Sequence, residues 1–77
     1  MPRITPIHWK VLENIFLEDG FVFKRQVGSH RSYTKSGILR PVVIPAHNEV
    51  DEFVILTNMR TAGMTRERYF ELLNKIK

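Results

Sequence analysis

The 77-residue chain contains no cysteine. That excludes a disulfide framework, a thiolate nucleophile and a zinc ribbon, and it agrees with a reducing, cytoplasmic compartment. Long apolar runs are missing too: stretches such as Phe53 to Leu56 fall far short of the roughly 20 residues a membrane helix needs. The N-terminus lacks the basic and apolar regions of a signal peptide, so a soluble intracellular protein with no membrane partner is expected. Acidic charge is absent from Lys24 to Arg40, a stretch that holds Lys24, Arg25, Arg31, Lys35 and Arg40. Twelve Lys plus Arg against eight Asp plus Glu give a net charge of +4, but this local bias says more about partners than the net value. A basic run is by default a solvated face. Here it coincides with strand-like, aromatic-bearing sequence, which favours a nucleic-acid surface. So short a chain is expected to form one domain, residues 1–77, stabilised by packing and possible help from a partner.

Thr5 and Pro6 read as an N-cap and first helical residue, and Ile7, Val11, Leu12, Ile15 and Phe16 recur at helical spacing until Gly20 stops the element. His8 falls within that apolar arc, as a packed or cap-adjacent histidine rather than a catalytic one. Trp9 sits at its edge, as a lid over the core or an exposed partner contact. Phe21 to Val27, His30 to Lys35 and Leu39 to Pro45 read as three antiparallel strands, with turns at Gly28–Ser29 and Ser36–Gly37. Pro41 and Pro45 place the third strand at a sheet edge, to be covered by a helix or a partner. Asn48 to Glu52 is an acidic linker and Phe53 to Ala62 a helix. Gly63 then breaks the chain and Thr65 caps a last helix with Tyr69, Phe70, Leu72, Leu73 and Ile76 on its apolar stripe, while Lys75 and Lys77 suit its C-terminal end.

Hairpin register decides which face carries His30. A two-residue turn pairs Val27 with His30 and puts the histidine on the side of Phe21 and Phe23. A three-residue loop, with Gly28 at a positive backbone angle, pairs Gln26 with His30 and Phe23 with Tyr33. The second register joins aromatic to aromatic on the covered face and leaves Lys24, His30 and Ser32 on the open one, at the expense of setting Arg25 opposite Arg31. It is the expected register, with Gly28 as the structural turn residue.

Histidine gives and takes protons near neutral pH, and in a basic hairpin it is suited to act on a phosphodiester. RNA carries its own nucleophile, the 2′-hydroxyl, so His30 as general base or acid needs neither metal nor cofactor. Lys24 and Arg31 are candidates for stabilising charge on the phosphorane, with register favouring Lys24. Ser29 caps the turn or donates a hydrogen bond to phosphate; with no nearby base in sequence it is not read as a nucleophile. His47 is read as a strand-end histidine held by its loop, although it is also a possible second proton-transfer group. His8, His30 and His47 lack the spacing of a metal site, and Asp51 and Glu52 are simple linker or helix-start charges.

The element order, with Gly28, Ser29 and His30 opening the second strand and Val42, Val43, Ile44, Pro45, Ala46 and His47 closing the third, resembles the HicA family of toxin ribonucleases over nearly the whole chain. The resemblance implies an α+β, α-β-β-β-α fold like the double-stranded-RNA-binding domain, with a three-stranded antiparallel sheet and helices on one face. It implies a messenger-RNA endonuclease toxin with His30 as catalytic residue; Lys24, Arg25, Ser29, Arg31, Lys35 and Arg40 are the RNA contacts expected from the basic hairpin itself. It also implies a HicB-like antitoxin, with the chain monomeric when free and hetero-oligomeric with that partner. Two departures stand out: Arg31 occupies a place where many members have a second histidine, and Phe53, Val54, Ile55 stand where many have glycine, threonine, leucine. The alternatives are a non-catalytic RNA-binding module and a protein-interaction domain built on the edge strand and Trp9.

Overall fold

The computed structural model describes residues 3–76. Its elements are β1 (Ile7–His8), α1 (Trp9–Glu18), β2 (Val22–Val27), β3 (His30–Thr34), β4 (Val42–Pro45), β5 (Glu49–Val50), α2 (Glu52–Ala62) and α3 (Arg66–Ile76). The fold is α+β, and a helix, three antiparallel strands and a C-terminal helix follow one another as expected, with α2 inserted where Phe53 to Ala62 was expected to be helical. Strands β2, β3 and β4 form a meander in that spatial order. Tyr33, Val42 and Ile44 line its covered face at 0% exposure, against Leu12, Ile15 and Phe16 of α1, Ile55 and Met59 of α2, and Tyr69 and Leu72 of α3. Lys77, expected to complement the end of the last helix, lies outside the described residues.

Several boundaries differ from the sequence expectation, each because of a long-range contact. Helix α1 begins at Trp9 rather than Pro6, and His8 is its N-cap, Nδ1 accepting from the Lys10 N–H at 3.2 Å. Ile7 and His8 are extended instead because they pair antiparallel with Val50 and Glu49. The supposed linker from Asn48 to Glu52 therefore contains a strand, and Val50 is drawn into the core at 1% exposure. Asp51 caps α2, accepting from the Phe53 N–H at 2.6 Å, which places the acidic pair at a helix start where the dipole favours it. Thr65 caps α3 through the Arg68 N–H at 3.1 Å.

Strand β4 is an edge strand, as Pro41 and Pro45 require, and it starts at Val42; Leu39, expected within it, is fully exposed in the preceding loop. Its outer edge is covered by a helix. The Asn58 amide of α2 donates to the Val43 carbonyl at 2.8 Å and accepts from the Val43 N–H at 3.4 Å, so one side chain satisfies both outward-facing groups of the residue. At the other edge all six residues of β2 are exposed.

The hairpin uses both registers weighed above. Val27 pairs with His30, Gln26 with Arg31 and Arg25 with Ser32. A bulge between Phe23 and Arg25 then shifts the ladder, so that Phe23 pairs with Tyr33 and Val22 with Thr34. The expected pairing of Gln26 with His30 is thus incorrect, whereas that of Phe23 with Tyr33 is correct. The physical reason lies at the two ends of β2. Gly28 adopts φ 59° while among the described residues no other residue type has a positive φ, which leaves Ser29 in the ordinary half of the map. That is the pattern of a two-residue turn with glycine first, matched to strand twist. The extra residue is absorbed at Lys24, which lets the aromatic pair meet on the covered face, with ring centroids 5.8 Å apart.

Candidate active site

The two faces of β3 carry different chemistry. On the open face the pairing aligns His30 with Val27 and Pro45, and Ser32 with Arg25 and Val43. His30 is exposed, and among the described residues its imidazole makes no side-chain hydrogen bond or ion pair. Because the two-residue turn sets the register at this end of the hairpin, the basic residue diagonally across from it is Arg25, opposite Ser32, and not Lys24 as the other register required. The same shift separates Arg25 from Arg31, removing the like-charge pair that the expected register would have imposed.

Arg31 alternates to the covered face and is enclosed there. Its Nε donates to the Tyr33 hydroxyl at 2.9 Å, its Nη2 to Glu13 Oε2 at 3.0 Å and its Nη1 to Gln26 Oε1 at 2.7 Å. The guanidinium lies 4.3 Å from the Phe23 ring centroid and 5.3 Å from that of Trp9. Such aromatic faces attract a cation, and the planar fork suits both stacking and multidentate bonding. Tyr33 in turn donates to the same Glu13 oxygen. The bond to Tyr33 holds Arg31 above its ordinary pKa, and burial followed by the bond to Glu13 pushes Tyr33 up to about 12. Arg31, expected as an RNA contact, is therefore tied to α1 and to its own strand.

Lys35 is also engaged, 3.5 Å from Asp19 Oδ2 and 5.6 Å from the Phe21 ring centroid. The stretch that lacks acidic residues in sequence thus meets Glu13 and Asp19 of α1 and its C-cap in space. Lys24, Arg25 and Arg40 are exposed, and among the described residues they have no ion-pair partner. These three form the accessible part of the basic set. Trp9, half-buried, stacks near His8 and beneath Arg31, a lid over the core more than a free contact surface.

The turn brings together residues that the sequence leaves far apart. Ser29 Oγ lies 3.2 Å from His47 Nε2, and the Ser29 carbonyl accepts from the Ala46 N–H at 2.7 Å. Sequence reasoning gave Ser29 no neighbouring base; the base comes from the end of β4, 18 residues on. The signal was indirect: if the second strand pairs antiparallel with the third, the start of one must meet the end of the other.

An antiparallel meander packed on helices, with a histidine at the start of its central strand on the open face, defines a small α+β domain with a solvent-facing basic hairpin. The family model described as HicA toxin of bacterial toxin-antitoxin matches residues 9–64, from the start of α1 to just beyond α2. The chain belongs to this family, and membership implies an antitoxin as partner. No curated protein gives a significant match. Among the described residues no helix is long and apolar enough to cross a membrane.

Proposed function

We propose that the protein is the RNA-cleaving toxin of a type II toxin-antitoxin pair, a metal-independent endoribonuclease in which His30 transfers a proton during attack of the 2′-hydroxyl on the adjacent phosphate. The observation that carries this reading is the exposure of His30 on the open face, its imidazole without a side-chain partner among the described residues, next to a basic edge strand. A histidine retained for packing would be covered or bonded, as His8 is at its helix cap. Lys24, Arg25 and Arg40 supply the phosphate attraction, and Gly28 sets the turn that presents the histidine. Proton transfer of this kind contributes about 10²–10⁴-fold, with the remainder coming from positioning and charge stabilisation.

Lys35 and Arg31 enter this reading as supports of the hairpin, held by Asp19 and Glu13, and not as primary RNA contacts. The partner is a HicB-like antitoxin acting in the cytoplasm; the free toxin is a monomer and the complex a hetero-oligomer. The test is incubation of purified protein with messenger RNA in excess chelator. Cleavage by the wild type and its loss in a folded His30→Ala variant support the proposal. Binding without scission by the wild type selects the non-catalytic RNA-binding module instead, and equal cleavage by the variant removes His30 from the chemistry.

A further inference from the structure

Cleavage of RNA by its own 2′-hydroxyl needs two proton movements, one off the attacking oxygen and one onto the departing O5′. His30 supplies one group. A second group near the same phosphate would serve the other movement, and Arg31, the neighbour in sequence, does not supply it: its guanidinium points to the covered face and is held by Glu13, Tyr33 and Gln26.

The end of β4 provides it. Pro45 pairs with His30, and directly beyond it the His47 N–H donates to the Pro45 carbonyl at 2.8 Å, a tight turn at the end of β4 beside the hairpin. The Ala46 N–H fixes this loop to the Ser29 carbonyl, and His47 Nε2 reaches Ser29 Oγ. Ser29 and His30 are consecutive, with α-carbons about 3.8 Å apart. His47 is exposed, and among the described residues Ser29 is its one side-chain partner; Glu49, the nearest carboxylate in sequence, pairs through its backbone with His8. Ser29 can accept from a protonated imidazole or donate to a neutral one, so its contact survives a change of protonation state.

We propose that His47 is the second proton-transfer residue of the site, held beside His30 by Ser29; this rests on the ribonuclease reading above. In the forward step one imidazole takes the 2′-hydroxyl proton as O2′ bonds to phosphorus. The P–O5′ bond breaks with its electron pair on O5′, and the other imidazole, protonated, delivers a proton there. The products are a 2′,3′-cyclic phosphate and a 5′-hydroxyl, and exchange with water restores both histidines. Ser29 is a positioning residue.

The decisive experiment compares His30→Ala, His47→Ala and Ser29→Ala, each checked for unchanged folding, on ordinary RNA and on RNA with sulfur replacing the bridging O5′. A thiolate leaves without help from an acid, so the variant lacking the acid regains rate on the sulfur substrate while the variant lacking the base does not. The expected result is a loss of about 10²-fold or more for His47→Ala on ordinary RNA, rescue of one histidine variant alone by sulfur, and a smaller loss for Ser29→Ala that Ser29→Thr partly restores. Cleavage by His47→Ala within threefold of wild type, or rescue of neither histidine variant, overturns the assignment of His47 while His30 keeps its role. A wild type that cuts no RNA removes the ribonuclease reading itself, and this assignment with it.

Discussion

His30 and Arg31 are neighbours in sequence and opposites in structure. The first stands on the open face of β3, its imidazole without a side-chain partner among the described residues; the second lies under the sheet between aromatic rings, bonded to Glu13, Tyr33 and Gln26. Both are basic side chains in a run without acidic residues, and composition alone treats them alike. Alternation along the strand separates them, and the helix packed beneath supplies the carboxylate that converts Arg31 from a candidate ligand-binding group into an internal tie. A cluster of positive charge in sequence is therefore an upper limit on the charge available to a polyanion.

The largest expected effect tests the open side of this contrast. His30→Ala should lower RNA cleavage by about 10²–10⁴-fold while changing stability by no more than about 0.5 kcal/mol, since the side chain is exposed; cleavage assays in chelator and thermal melts of one preparation check both halves. Arg31→Ala should do the reverse. Removing the guanidinium leaves the part-buried Glu13 carboxylate with the Tyr33 hydroxyl but without its counter-charge, costing about 2–3 kcal/mol and lowering Tm by on the order of 10 °C for a domain of this size. An Arg31→Ala protein with native stability but weakened RNA binding would show that the two faces are not divided as drawn.

A third substitution acts where the faces meet. Gly28→Ala places a β-carbon at φ 59°, where nothing within 4 Å obstructs it, so that backbone strain is the only penalty. A loss of about 1–2 kcal/mol is expected, measured by chemical denaturation. No loss would mean that the turn does not require a positive φ at residue 28.

How much of this division was legible beforehand follows from the range of each interaction. Local signals were sufficient for α1 up to its stop at Gly20, for the hairpin, for α2 and for the cap and stripe of α3. The open face expected for His30 holds although the Gln26 pairing it was argued from does not, because the bulge at Lys24 returns Phe23 to the covered side opposite Tyr33. Lys24 was misplaced because a bulge leaves almost no trace in a six-residue strand: both registers satisfy part of its pattern, and the choice depends on a turn at one end and an aromatic pair at the other. The ties of Arg31 to Glu13 and of Lys35 to Asp19, the pairing of Ile7 and His8 with Val50 and Glu49, and the meeting of Ser29 with His47 join residues 16 or more positions apart. No local periodicity encodes those contacts.

A smaller effect sharpens the comparison among the basic residues themselves. Single alanine substitutions of Lys24, Arg25 and Arg40 should each weaken RNA binding several-fold and reduce the slope of log affinity against log salt by about 1, because each removes one phosphate contact and its released counterion. Lys35→Ala should leave that slope unchanged, its ammonium being occupied by Asp19. Filter binding of catalytically inactive protein across a salt series distinguishes the two groups. A slope change for Lys35→Ala matching that for Arg25→Ala would return Lys35 to the interface.

The covered face makes a last prediction that is silent at neutral pH. Burial pushes Tyr33 up to about 12, with Glu13 reinforcing the shift, and burial alone does the same for Tyr69. Each folded-state value lies above the ordinary 10.0, so the folded chain holds these protons more tightly than the unfolded chain. Their contribution to stability is fully present below about pH 10 and is lost as pH rises through about 12. Denaturation midpoints should therefore fall across that window, in step with tyrosinate absorbance. The two tyrosines separate by substitution. Tyr69 Oη is buried without a partner among the described residues, so Tyr69→Phe should be neutral or stabilising by about 1 kcal/mol at pH 7. Tyr33→Phe instead removes the hydroxyl that links Arg31 to Glu13, and should destabilise at pH 7 while flattening the alkaline decline. If both variants behaved alike at neutral pH, the Glu13, Tyr33 and Arg31 network would carry no more stability than a lone buried hydroxyl, and the contrast between the faces would rest on His30 alone.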